Sequence, residues 1–253
     1  MKKNTWFLIR ELAWTDFKLR YNNSILGYIW SLLVPLMIFG VLYLVFSVFM
    51  RFEGIEHYQL YLLLGLILWS YFYEATNNGM QSMHYKASLI SKMNFPKWVI
   101  IVASNMTSLF TLCLNLFVFA VFFMLSSATA KVTGWMVFFY LLQLIILSFA
   151  VSLFLASFYL RFRDLSHIWS IVLQVGFWLI PIVYPVSIIP DHLRPVFFLN
   201  PLARIIQDTR SVLIYGSSPP LRHTIISFVM IVFILIPGIV IFFIRSGKFA
   251  EEV

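Results

Sequence analysis

The sequence predicts an all-α integral membrane protein with six transmembrane helices, an expectation carried by its composition, its tract lengths and its placement of charge. Of 253 residues, 61% are hydrophobic and 11% charged, against about 25% charged in an ordinary soluble domain. Crossing about 30 Å of hydrocarbon takes roughly 20 apolar residues, and six such tracts use up more than half the chain. No internal repeat or low-complexity linker divides residues 1–253, so one domain is the default.

The elements follow in chain order. Residues 3–20 set Trp6, Ile9, Ala13 and Phe17 at helical spacing away from Glu11, Thr15 and Lys18, the pattern of an amphipathic helix lying at the membrane interface. Arg10, Glu11, Asp16, Lys18 and Arg20 interrupt any signal-peptide core there, so this start is expected to be retained. Uncharged tracts run over 21–50, 57–73, 98–130, 132–160, 165–190 and 223–244. The second can continue past Glu74 to about residue 79.

Two connections look specialised. Residues 84–97 carry Leu89, Ile90 and Met93 around Lys86 and Lys92, then Phe95 and Pro96, which predicts a short helix parallel to the membrane, ended by the proline. Residues 187–221 alternate apolar pieces with Asp191, Arg194, Arg204, Asp208 and Arg210. They are too polar to span but suit a re-entrant region dipping into a wet vestibule. Ser148, Ser152 and Ala156, four apart, predict close helix packing, and the lone Cys113 is expected as a small core residue.

Six spans put both termini on one side. With that side cytoplasmic, Lys2, Lys3, Arg10, Lys18, Arg20, Lys86, Lys92, Lys97, Arg161, Arg163, Arg245 and Lys248 lie inside, and Arg51, Lys131, Arg194, Arg204, Arg210 and Arg222 outside. This two-to-one excess follows the positive-inside rule. It accounts for the net charge of +8 without a nucleic-acid partner.

No glycine opens a GxxxxGK[ST] phosphate loop, and no His/Cys cluster has metal-ligand spacing. An ion-coupled carrier needs an ionisable group within the membrane, and Glu74, near the inner mouth, is the one near candidate. Neither cofactor nor metal is therefore expected on this chain. Energy is expected from a separate ATPase docked on the cytoplasmic face, with residues 84–97 as the docking element.

Specific residues then point to a family. Arg20-Tyr21 followed by Ser24, Leu26, Gly27, Trp30 and Pro35 resembles the approach to the first span in ABC-2 type permeases that export O-antigen, capsule or teichoic acid. Lys92 to Pro96 resembles that family's cytoplasmic coupling segment; residues 161–185 resemble its fourth loop and fifth span; Asn200-Pro201-Leu202 matches its outer re-entrant region. The chain departs at Asn22-Asn23, where many members have another basic residue. The resemblance implies a homodimer in the bacterial inner membrane, a separately encoded ATPase carrying ATP and Mg, and an undecaprenyl-pyrophosphate-linked glycan as substrate.

Such a glycan is hydroxyl-rich, so its conduit should offer flat apolar faces and few strong charges. Tyr28, Trp30, Trp69, Tyr71, Tyr73, Phe177, Trp178 and Tyr184 are candidates for that wall. Arg20, Arg161 and Arg163 are candidates for the lipid pyrophosphate. Lys86, Leu89, Ile90, Lys92, Met93, Phe95 and Pro96 are assigned to ATPase coupling. Pro181 and Pro185 free backbone carbonyls in the fifth tract and predict a bend at an outer gate, together with Asn200, Pro201, Arg204 and Arg210. Asp164 is a candidate helix cap. The alternatives are an ABC-2 permease for a drug or lipid, and a membrane enzyme acting on lipid-linked glycan through Asp191, His192, Arg194, Arg204, Asp208 and Arg210.

Overall fold

The computed structural model describes residues 2–20, 27, 29–51, 55–93, 95–126, 132–247 and 249, without the side chains of 2–4, 20, 132 and 133. Within them the regular structure is helical, with no strand: α1 (Lys2–Arg20), α2 (Ile29–Tyr43), α3 (Tyr58–Tyr85), α4 (Ala87–Lys92), α5 (Trp98–Leu125), α6 (Val137–Tyr159), α7 (Leu165–Leu179), α8 (Arg194–Phe197), α9 (Pro201–Leu213) and α10 (Leu221–Ser246). Four helical stretches among them are long and apolar enough to cross a membrane: Ile29–Phe49, Trp98–Leu125, Gly134–Tyr159 and Leu221–Ser246. The first of these continues α2 through a π-helical turn, Leu44–Phe49.

α3 is the central element, packed against α5 on one side and α6 on another. Residues Leu60, Leu62, Leu63, Leu64 and Leu68 are each at most 1% exposed. The periphery is inverted relative to a water-soluble protein: Phe117, Met124, Phe138, Phe233 and Ile244 all project outward. Apolar side chains this numerous on a surface require a hydrocarbon solvent.

Small residues set the helix spacing. An added Cβ on Gly238 of α10 would meet the backbone oxygen of Ala150 on α6 at 2.8 Å. Ser148 and Ser152 of α6 are fully buried, and Ser152 Oγ donates to Ala75 O of α3 at 3.1 Å. The stripe read from the sequence therefore lies in a tight helix contact, where small side chains let backbones approach.

Several boundaries and placements differ from the sequence expectation. α3 runs six residues past residue 79, because Asn77, Asn78, Gln81 and Ser82 are accommodated within helix contacts rather than ending it. α4 stops at Lys92, well before Pro96. α7 spans 15 residues, about 22 Å, so the tract 165–190 is not one continuous helix. Cys113 is exposed on α5 instead of in the core. On α1, Ile9 and Phe17 are buried toward α5, while Trp6 at 61% exposure stands outward beside Trp14. Asp164 sits at the start of α7 but makes no side-chain cap; its backbone oxygen accepts from His167 and Ile168.

Candidate functional site

A groove of about 660 Å³ opens between α2, α3, α5 and α7. One wall is aromatic: Trp30 from α2, Trp69, Tyr71 and Tyr73 from α3, and Phe177 from α7. Trp69 and Phe177 meet edge to face at 5.9 Å, and the absence of a side chain on Gly176 leaves room for the Trp69 ring, since a Cβ there would approach it to 3.2 Å. The same lining carries polar side chains, Ser70, Glu74, Asn77 and Asn78 of α3 and Thr111 and Asn115 of α5, among apolar ones such as Val34, Leu66 and Leu112. Helical spacing puts these groups on facing stripes: 70, 74, 77 and 78 on α3, and 111 and 115 on α5. Asn115 Nδ2 donates to Thr111 O at 3.0 Å, Asn78 Nδ2 to Ser108 Oγ at 3.2 Å, and Thr111 Oγ1 to Glu74 Oε1 at 3.4 Å.

Of the aromatic candidates, the groove gathers five. Trp178 is 57% exposed on the far side of α7, and Tyr184 turns its hydroxyl back to the carbonyls of Trp178 and Leu179, which the end of α7 leaves without helical partners. Tyr28 lies outside the described residues. Asn77, Asn78, Thr111 and Asn115 were not among the sequence candidates, and Glu74 was singled out there only as a possible ion-coupling group; the adjacent Asn77-Asn78 pair inside a long helix is the signal that could have drawn attention to the others.

Beyond α7 the chain is non-helical through Pro181–Tyr184, and its carbonyls are taken up by side chains. Arg210 of α9, with no exposed surface, donates from Nη1 to Pro181 O at 2.6 Å, from Nη2 to Ile182 O at 2.8 Å and from Nε to Tyr61 O at 3.1 Å. Tyr58 hydroxyl donates to Val183 O at 3.0 Å, and Tyr61 hydroxyl to Tyr184 O at 3.0 Å. The guanidinium carbon lies 3.4 Å from the centroid of the Tyr61 ring. One expectation is corrected here. Pro181 and Pro185 mark a helix end rather than a bend, and the carbonyls near Pro181 are paired by a buried arginine and a tyrosine hydroxyl. Burial lowers the Arg210 pKa from its ordinary value, opposed by the nearby tyrosines.

The residues before Arg210 are ordered by helix-start chemistry. Asn200 Oδ1 accepts from Leu202 N at 3.0 Å and Pro201 occupies the first turn, the arrangement that satisfies free amide groups at a helix N-terminus. Arg204 donates to Phe198 O through Nε and Nη2. Arg194 pairs with Asp191 at 2.6 Å on the surface. The polar residues of this region thus engage separate partners and do not converge on a reaction centre. Asp208 is buried, and desolvation pushes its carboxyl up to about 6 against the lowering effect of Arg204.

At the other end of α3, Lys86 pairs with Asp16 of α1. The pair borders a second cavity of about 580 Å³, lined also by Ser82, Tyr85, Ser104 and Thr107, which shares Asn78 with the groove. Among the coupling candidates, Lys92, Met93 and Pro96 are exposed, Leu89 and Phe95 are half-buried, and Ile90 at 4% exposure packs inward with Met83 and Ile100. Arg161 and Arg163 are exposed in the turn before α7, with Arg161 over the Phe162 ring at 5.3 Å. Arg20 ends α1, and its side chain lies outside the described residues.

Lipid-facing helices around a groove lined by aromatic, aliphatic and amide side chains define a multi-pass membrane protein of the transport class. Residues 8–214 match the family model described as ABC-2 type transporter, and the chain belongs to that family. It is 31% identical over 239 residues to an O-antigen export system permease protein RfbA of Klebsiella pneumoniae, covering 93% of this chain and 91% of the relative. It is 28% identical over 251 residues to a protein of that description from Myxococcus xanthus, with 97% and 95% coverage. Membership makes the chain a transport permease rather than an enzyme, and implies an ATPase partner.

Proposed function

We propose that this chain is the permease of an ABC exporter that moves a lipid-linked O-antigen polysaccharide across the bacterial inner membrane, with both termini cytoplasmic. The observation that carries the reading is the groove itself, in a chain of this family whose relatives bear the name of O-antigen export. Trp30, Trp69, Tyr73 and Phe177 offer flat apolar faces to sugar rings, while Asn77, Asn78, Thr111 and Asn115 offer hydrogen bonds to hydroxyls. In this reading α3 and α7 complete six spans. α7, too short alone, is extended by the segment that Arg210 holds in place, which satisfies the rule that non-helical backbone at membrane depth be buried in protein.

Two copies of the chain work with two copies of an ATPase that holds ATP and Mg. The exposed Lys92, Met93 and Pro96 contact that partner, and inward-packed Ile90 ties the contact to the bundle. Arg20, Arg161 and Arg163 meet the undecaprenyl pyrophosphate through charge-assisted hydrogen bonds. Deletion of the chain tests the reading. Complete glycan should accumulate inside the cell and vanish from the surface, whereas short or unmodified glycan would assign the chain to synthesis instead.

A further inference from the structure

The outward side of α1 is suited neither to water nor to the interior of a bilayer. Trp6, Phe7, Trp14 and Leu19 are each 58–64% exposed, and Arg10 and Lys18 are exposed among them. Phe7, Arg10, Trp14 and Lys18 follow one another at spacings of three and four, so they form one ridge of the helix. The Arg10 guanidinium lies over the Phe7 ring at 5.4 Å, which lays its charge along the ridge. The other side holds the helix to the bundle: Ile9 and Phe17 are buried, Phe17 meets Phe110 edge to face at 4.3 Å, and Asp16 pairs with Lys86. α1 therefore cannot roll to bury its tryptophans without breaking these contacts.

Charge names the occupant of that ridge. α1 carries Lys2, Lys3, Arg10, Lys18 and Arg20 against Glu11 and Asp16, and Asp16 is taken by Lys86. Glu11 meets Arg10 at 3.2 Å on the surface; an exposed pair of this kind holds weakly, and an arginine has five N–H donors, so Arg10 can turn to a phosphate. Indole rings, apolar with one polar N–H, settle where hydrocarbon gives way to headgroups. A helix that sets aromatic residues beside cations binds a membrane surface through buried apolar area and attraction to anionic lipid. We propose that this ridge of α1 docks on anionic phospholipid headgroups, with Trp6, Phe7 and Trp14 entering the headgroup–acyl boundary and Arg10 and Lys18 on the phosphates. Zwitterionic lipid offers the same boundary without net charge, so α1 selects phosphatidylglycerol over phosphatidylcholine. This rests on the reading of the chain as an inner-membrane permease with its N-terminus at the cytoplasmic leaflet.

The test uses the full chain in phosphatidylcholine nanodiscs, into which phosphatidylglycerol or phosphatidylcholine with brominated acyl chains is titrated. Quenching of Trp6 and Trp14 is taken as the difference between wild type and the Trp6→Phe/Trp14→Phe protein. Brominated phosphatidylglycerol should gather at α1 and reach half-maximal quenching of these two residues at a mole fraction about fivefold lower than brominated phosphatidylcholine. Arg10→Gln with Lys18→Gln, both at exposed positions, should cut that preference about threefold. Salt at about 0.5 M should shrink it in wild type by screening, while quenching by phosphatidylcholine persists in each case. Equal quenching by the two lipids in wild type, or a preference that the double variant or salt leaves unmoved, overturns the proposal. So does a face that neither lipid quenches, which would belong to a protein partner instead. The measurement needs neither ATPase nor glycan, so the two readings fail separately. If deletion of the chain removes surface glycan but the lipid preference is absent, docking on anionic lipid falls and the exporter reading stands; if deletion leaves surface glycan intact, the exporter reading falls whatever the lipid preference.

Discussion

The guanidinium of Arg210 occupies the space that a side chain on Gly65 would fill. Arg210 is on α9 and Gly65 on α3, with Tyr58 and Tyr61 three and four residues apart on the same face of α3. The glycine therefore makes room for the cation that caps the chain after α7. Gly65→Ala should displace Arg210 from Ile182 O and weaken the fold by about 1–3 kcal/mol, as overpacking does. Retention of monodisperse protein after graded heating in detergent measures this, and an unchanged midpoint would show that Arg210 relaxes without loss.

Arg210 itself is predicted to be harder to replace. Arg210→Met removes a donor to Tyr61 O, Pro181 O and Ile182 O; Pro181 O keeps the Tyr61 hydroxyl and Tyr61 O its helical partner, so the loss falls chiefly on Ile182 O, at about 1–3 kcal/mol. Arg210→Lys keeps the charge but loses the planar fork, so it should recover only part of the stability. The ordering wild type, then Lys, then Met in thermal midpoint is the expected result; equality of Lys with wild type would mean that charge alone suffices.

The bundle was legible in the sequence because lipid imposes long uncharged tracts, and the sites that were not legible depend on distant partners. Pro181 announced that a helix would fail there, yet only the fold shows Arg210 and Tyr61 arriving from 29 and 120 residues away to take up the Pro181 carbonyl. Aromatic composition pointed to the groove wall in general, but Trp178 is on the same helix as Phe177 and faces away from it, a difference of one residue that composition cannot resolve. Ile90 was read from sequence as part of the coupling segment; its short helix turns that side chain inward, into the cluster that holds Met83 of α3 and Ile100 of α5.

Asp208 gives a pH dependence. Its folded carboxyl titrates at about 6 instead of 3.8, because burial penalises the charged form. The raised value means that the folded state holds the proton more tightly than the unfolded state. Its contribution is therefore complete below about pH 4 and is lost as pH rises through 6, by about 2–3 kcal/mol in all. Thermal midpoints of wild type should fall relative to those of Asp208→Asn between pH 5 and 7. Parallel profiles for the two proteins would place the proton elsewhere.

The pair between Asp16 and Lys86 joins α1 to the junction of α3 and α4. Both side chains are largely buried, with 28% and 14% of their surfaces exposed, so the pair is less screened than a surface bridge. Breaking it by Lys86→Ala strands Asp16 beside the cavity that leads to Asn78, and stability should fall by about 1–3 kcal/mol. A purely local loss of charge balance and a specific attachment of α1 to α4 differ in what restores them. The double exchange Asp16→Lys with Lys86→Asp keeps the attraction while reversing its direction. If attachment is what matters, the exchanged protein should regain most of the lost thermal stability and the ATPase stimulation lost by either single variant in the reconstituted complex. If the exchange is no better than the sum of the single changes, the pair is dispensable as a link and Lys86 acts through some other contact.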